Sequence, residues 1–372
     1  MNSTAKILLA LVREEIGVGS FHMWPTEGRI NWNDVFSLAK RQGVLAIVWS
    51  VVCRLAEDGV LAPEQQPPRN IKLQCALSAE NIEKRYHRQR QLASKLAEAY
   101  AAEGIHTYVL KGLALSGYYP TPEHRECGDL DCFLATTNDD GSFVCRYDDG
   151  NAIAAKIGAN VEIGFYKHSH INYKGLLVEN HAFCTAIRGS RDRKALERHL
   201  QHLLSTQPST PIADTHLLRP CADFNALFLT AHSFGHFLTE GIKLRHILDW
   251  ALLLRAEQDN IDWTAFYEWC DRMHYTKFVD AVTAIATEYL GFEVTNPAIR
   301  THSDLRDKVL EDVLFGERSI HNTGASKFKK RMMIMRNKLL GGWKYRELYE
   351  RSAVIDTIQM VWSFFVERKP KI

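Results

Sequence analysis

The stretch "LKGLALSGYYPTPEHRECGDLDCFL" (110–134) constrains this 372-residue chain more than any other. The overlapping "IHTYVL" (105–110) is rich in β-branched and aromatic residues and reads as a buried strand. It runs into Lys111-Gly112, a short helical stretch follows, and Asp129 and Asp131 then alternate with Leu130, Cys132 and Leu134. Successive strand side chains point to opposite faces, so the two aspartates share one face and the three apolar residues the other. Carboxylates roughly 6–7 Å apart at Cα level repel each other unless a cation sits between them. Oxygen-only ligands favour Mg²⁺, with Mn²⁺ as its substitute. An isolated Asp-x-Asp equally ends a strand and caps a turn. The Lys-Gly turn tips that balance: exposed N–H groups at a helix start bind phosphate, and Lys111 adds a point charge.

Around this block the pattern is largely helical. Ala5–Ile16 and Trp32–Leu55 carry apolar residues at mixed three- and four-residue spacing, with Asn31 or Asn33 as cap. "LAPEQQPPRN" (61–70) has three prolines and reads as a linker. A long amphipathic helix is predicted from Ile71 to Ala102, stopping at Glu103-Gly104. After a polar loop at 136–142, a short helix is expected over Asn151–Ile157. Strands broken at Tyr173-Lys174-Gly175 then make a hairpin or meander of 160–183. From about 191 the pattern reads as helical to the end. The expected architecture is α+β, a mixed sheet with flanking helical regions at both ends. It divides into 1–71 (helical), 72–190 (α/β core) and 191–372 (helical).

Composition excludes little. A net charge of +2 does not by itself argue for nucleic acid or membrane. The early apolar run Ile7–Val12 is shorter than a signal-peptide core and far shorter than a membrane span, so no targeting or membrane segment is expected. Eight scattered cysteines without a Cys-x-x-Cys pair suit reduced thiols in a cytoplasmic protein.

At residues 110–134 the chain resembles the nucleotidyltransferase superfamily with the polymerase-β-type fold, which places Asp-x-Asp on the strand after a glycine-containing turn. More closely, it resembles a bacterial family of uncharacterised nucleotidyltransferases. The shared residues are Lys111-Gly112, Tyr119-Pro120, Arg125, Gly128, Asp129 and Asp131. "LLVENHAF" and the helical "FLTAHSFGHFLTEGIKLRHILDWALLL" also match. The resemblance implies Asp129 and Asp131 as metal ligands, and Lys111 and Gly112 as phosphate contacts. A third carboxylate on a neighbouring strand is Glu179 or Glu162, and the match of "LVENH" favours Glu179. In two-metal chemistry one ion sharpens the attacking hydroxyl while the other neutralises leaving pyrophosphate. The implied reaction moves NMP from an NTP to an acceptor hydroxyl: a small molecule, a glycan precursor, a protein or a tRNA. A catalytically idle relative that binds nucleotide or protein is the rival, and a toxin-like tRNA-modifying enzyme a third reading.

His168 and His170 share a strand face, which zinc would accept, but no cysteine or third histidine follows at convincing spacing. With His181 they read as polar lining or as satisfied strand histidines, some of them meeting the substrate. His232 and His236, and Arg245 and Asp249, lie i, i+4 on predicted helices, either buttressing the catalytic unit or walling its cleft. Arg125 suits a phosphate as well as Glu123 or Glu126. The segment 327–346 holds eight basic residues and no acid. It reads as a solvated helix face, a nucleic-acid contact or a membrane-surface helix.

Overall fold

The computed structural model describes residues 1–16, 30–164, 166–316 and 327–358. The chain opens with α1 (Ser3–Glu15), whose first turn is capped by the Asn2 side chain accepting from the Ala5 N–H at 2.9 Å. The single helix expected over 32–55 is two, α2 (Trp32–Gln42) and α3 (Leu45–Glu57). Gly43 divides them: at φ +69° it closes α2 in the left-handed conformation that glycine adopts without penalty. The buried Gln42 beside it donates to the carbonyls of Val313 and Leu314 and accepts from the Leu244 N–H, so this corner joins distant parts of the chain. Asn31 is the cap of α2. The proline-rich stretch at 61–70 packs rather than dangles: Leu61 is buried, and the Trp32 indole donates to the Gln65 carbonyl at 2.7 Å. It leads into α4 (Arg69–Ala101), a 33-residue helix close to its expected bounds.

The sheet follows. Its first part is β1 (His106–Val109), the one-turn α5 (Leu113–Ser116), β2 (Leu130–Thr137), β3 (Phe143–Cys145) and α6 (Tyr147–Lys156). Next come β4 (Asn160–Glu162), β5 (His168–Tyr173) and β6 (Leu176–His181), with the β5–β6 turn at the expected Lys174-Gly175. After α7 (Arg191–Thr206), β7 (Thr210–Pro211) and β8 (Leu217–Arg219) correct the reading that the chain is helical from 191 onward. Strands of two and three residues are too short for a period-2 pattern to register. Among the described residues the eight strands run β4-β5-β6-β2-β1-β8-β7, with β3 beside β2. The sheet is mixed: β2–β6 and β1–β8 are parallel, the remaining pairs antiparallel. The remaining helices are α8 (Ala222–Thr239), α9 (Leu244–Glu257), α10 (Trp263–Met273), α11 (Thr276–Glu288), α12 (Arg306–Phe315) and α13 (Lys327–Leu340). The fold is thus α+β with helices flanking the sheet. No described helix is long and apolar enough to cross a membrane.

Alternation along β2 splits the apolar core in two. Leu130, Cys132 and Leu134 join Val109, Val178 and the α4 residues Leu92, Leu96 and Tyr100 on one side. Phe133 and Ala135 join Tyr108 and the helices α8 and α9 on the other. Asn180, on the first side, is fully buried. It donates to the Tyr147 carbonyl and to Asn151 Oδ1, both on α6, which accounts for a polar residue where an apolar one would be usual. Helix α6 lies so close to the sheet that a Cβ on Gly150 would stand 2.1 Å from Leu134 Cδ1. Gly150→Ala is therefore expected to destabilise the protein by about 1–3 kcal/mol in urea melts, the usual cost of overpacking.

A half-buried acid lowers stability elsewhere. Asp280 on α11 has Oδ1 buried without a hydrogen-bond partner, and burial pushes its carboxyl up to about 6 against an opposing Arg300. Between its ordinary range and pH 6 the unfolded chain loses this proton while the folded chain keeps it, so stability falls as pH rises through that window. Asp280→Asn is expected to raise stability at pH 7–8 by about 1 kcal/mol after solvent screening, a gain that disappears below pH 4 in paired denaturation curves.

Candidate active site

Backbone pairing assembles the site. In the parallel register Asp131 lies beside Glu179 and Phe133 beside His181. The β5–β6 hairpin then sets His170 beside Glu179 and His168 beside His181, and β4 sets Glu162 beside His170. Laterally paired residues share a face, so one row reads Asp131, Glu179, His170, Glu162 across four strands. In this row Glu179 neighbours Asp131, while Glu162 stands two strands further away on the exposed β4.

Asp129 sits one residue ahead of β2 rather than within it, half-exposed, in a segment held by Gln89 Nε2 donating to the Gly128 carbonyl. Asp131 is 1% exposed. Lys111 Nζ lies 2.9 Å from Asp131 Oδ2 and 3.6 Å from Asp129 Oδ1, so the lysine reaches back onto the aspartates. The reason is the 111–112 turn. Gly112 adopts φ +65°, ψ −111°, a backbone state glycine tolerates, and places the lysine beside the start of β2. The helix that follows is a single turn of four residues and offers little dipole to an anion.

Burial opposes ionisation of Asp131, but Lys111 and His181 outweigh it and hold the carboxyl well below the usual carboxylate range. Burial likewise presses on Lys111, and Asp131 and Asp129 reverse it, so the ammonium stays charged. Glu179 is held below its ordinary range because His181, then His168, overcome burial and the repulsion of Asp131. His181 Nδ1 lies 3.0 Å from the Phe183 carbonyl and Nε2 3.2 Å from Asp131 Oδ1. Both neighbours are acceptors, so both ring nitrogens act as donors. Burial and Lys167 oppose that charge, and Asp131 and Glu179 prevail, raising the imidazole's pKa. His168 behaves oppositely: burial pulls it down to about 4, leaving a neutral ring. Its Nε2 is 3.7 Å from Glu179 Oε2, and that of His170 is 3.5 Å from Glu179 Oε1.

Helix α8 lies over this face. His232 and His236 present adjacent rings, with centroids 4.5 Å apart, and His232 is near enough for Lys111 and Asp131 to act on it, though burial dominates and keeps it neutral. Arg125 pairs with Asp249 rather than with Glu123 or Glu126. It forms a buried fork onto Asp249 on α9, Nε to Oδ1 at 2.8 Å and Nη2 to Oδ2 at 2.7 Å, and Tyr119 Oη donates to the same Oδ1. Arg245, one turn ahead of Asp249, donates to the Glu126 carbonyl at 2.7 Å. Arg125, Arg245 and Asp249 thus clamp the 119–127 segment to α9. Lys167, which feels the charge of both Asp131 and Glu179, was not legible in the sequence because only the hairpin brings it near.

A family model described as "Uncharacterised nucleotidyltransferase" matches residues 28–291, well over half of the chain. The chain belongs to this family. It is a nucleotidyltransferase enzyme, and the matched span contains every site residue described above. No curated protein and no solved structure matches the chain.

Segment 327–346 lies outside the match. Lys338 pairs with Asp356 at 2.8 Å, and Lys344 with Asp312 at 2.7 Å while donating to the Phe237 carbonyl. Both lysines are buried, so the solvated-face reading does not hold at these two positions; the side chains of 327–331 and 339 lie outside the described residues.

Proposed function

We propose that the protein transfers NMP from an NTP to an acceptor hydroxyl and releases pyrophosphate, using a Mg²⁺ or Mn²⁺ site made by Asp129, Asp131 and Glu179. The observation that carries this reading is the charge already placed between the two aspartates. The Lys111 ammonium bridges Asp129 and Asp131, and Glu179 occupies the adjoining place in the same sheet row. Carboxylates gathered around a resident positive charge fit a hard divalent cation, given that the lysine can yield its position. Bound there, the cation would supply charge neutralisation for the triphosphate and lower the barrier to deprotonating the hydroxyl.

The chain's own groups account for the rest. The displaced Lys111 ammonium, on a flexible stem, becomes a counter-charge for phosphate. The attacking oxygen forms a bond to Pα as the bond to the bridging oxygen breaks. Glu179, ionised at neutral pH, is in the form that accepts the hydroxyl proton or serves as the third ligand. The internal pairing of Lys338 and Lys344 leaves less basic surface for a nucleic-acid acceptor, so small molecules, glycan precursors and protein hydroxyls stand ahead of tRNA. Eight free cysteines suit a cytoplasmic setting.

The test is incubation with each α-labelled NTP, Mg²⁺ or Mn²⁺, and a cell extract separated into RNA, protein and small-molecule fractions. Label entering one fraction identifies the acceptor class. Tight NTP binding with no transfer into any fraction would overturn the proposal in favour of an idle relative.

A further inference from the structure

The β5–β6 hairpin holds a second group of donors beside the carboxylates. His168 and His170 share the sheet face with Glu179, and their Nε2 atoms face its two oxygens at 3.7 and 3.5 Å. These separations are too long for hydrogen bonds. They are close to those of ligands around one ion, since donors about 2.0–2.1 Å from a metal at a tetrahedral angle stand about 3.3 Å apart. One donor atom from each of the three residues lies within 4.8 Å of the others. The rings are also ordered: His168 lies edge-on to His170 at 4.9 Å and stacks on His181 at 5.2 Å.

We propose that His168, His170 and Glu179 form a cation site for a borderline divalent metal of the Zn²⁺ or Co²⁺ class, distinct from the Asp129–Asp131 site and sharing Glu179 with it. Imidazole nitrogen suits such metals, whereas Mg²⁺ prefers an all-oxygen octahedron. His181 is not a ligand, because its two nitrogens are directed at the Phe183 carbonyl and Asp131. It instead links the two sites, lying 3.6 Å from Glu179 and 3.2 Å from Asp131. Three protein ligands leave a further coordination position, and the 56% exposure of the His170 side chain opens it to water or an anionic group. The site goes beyond the proposed transfer reaction and does not require it. Shared use of Glu179 makes metal at the histidines a competitor for the third carboxylate.

The experiment uses full-length protein stripped with a chelator and titrated with Co²⁺ in the absence of nucleotide. A saturable visible band at one equivalent is expected, displaced by stoichiometric Zn²⁺ and not by millimolar Mg²⁺. His170→Ala, at an exposed position with an unchanged melting temperature as control, is expected to weaken Co²⁺ binding at least about tenfold, while Asp129→Asn changes it less than about twofold. Absence of a saturable band overturns the site. So does loss of binding in Asp129→Asn with retention in His170→Ala, which would move the ion to the carboxylates. Because the readout is binding without nucleotide, its failure is separable from failure of NMP transfer.

Discussion

Asp131→Asn is expected to lower label transfer from NTP by about a thousandfold, the scale on which removal of one centrally placed electrostatic group acts. Three roles converge on this side chain. It supplies a carboxylate for the proposed cation, holds Lys111 at 2.9 Å, and accepts from His181. Asparagine keeps the shape and removes the charge, leaving the lysine and imidazolium without their main counter-ion in a buried place. Some loss of stability is therefore built in, and the measurement needs a partner. Asp129→Asn, at a half-exposed position, is expected to remain folded and still lose at least about a hundredfold. Transfer rates, read with a thermal melt on each variant, check both. A folded Asp131→Asn protein that keeps transfer within about tenfold of the parent would remove this residue from the site.

The largest expected effect on stability is at Arg125. Arg125→Ala should cost about 3–5 kcal/mol in denaturant titrations, because it strands the buried Asp249 carboxylate without its fork. Asp249→Ala should cost a similar amount by stranding the guanidinium. The double replacement Arg125→Met/Asp249→Leu removes both charges and is expected to recover most of the loss, since a well-packed apolar pair can equal a buried ion pair. Tyr119 Oη loses its acceptor in that double variant, so full recovery is not expected. If each single variant costs less than about 1 kcal/mol, the pair is no more than surface-grade, and the clamp between the 119–127 segment and α9 is not what holds this corner.

Much of the sheet and its acidic face was legible beforehand because the signals are local. Alternation around Asp131 needs only the period of a strand, and the hairpin at Lys174-Gly175 only the short-range chemistry of a turn. The resemblance at 110–134 and the family match agree on the same block. What escaped was decided by pairings far apart in sequence. The division at Gly43 depended on whether one glycine in a helical pattern ends the helix, which its neighbours alone do not state. β7 and β8 were too short to show a pattern.

Residue types and strand periodicity in this chain determine that Asp131 faces away from Leu130 and Cys132, and that an acid on a neighbouring strand can join it. Only the folded sheet decides which acid, because register between β2 and β6 is set by packing on both faces. That register places Glu179, not Glu162, beside Asp131. Folding also turned Lys111 inward onto the aspartates and gave Arg125 to Asp249, a partner 124 positions away. A charged group ends beside whichever opposite charge burial leaves it, and that choice is made by the tertiary structure after local pattern has placed the strands.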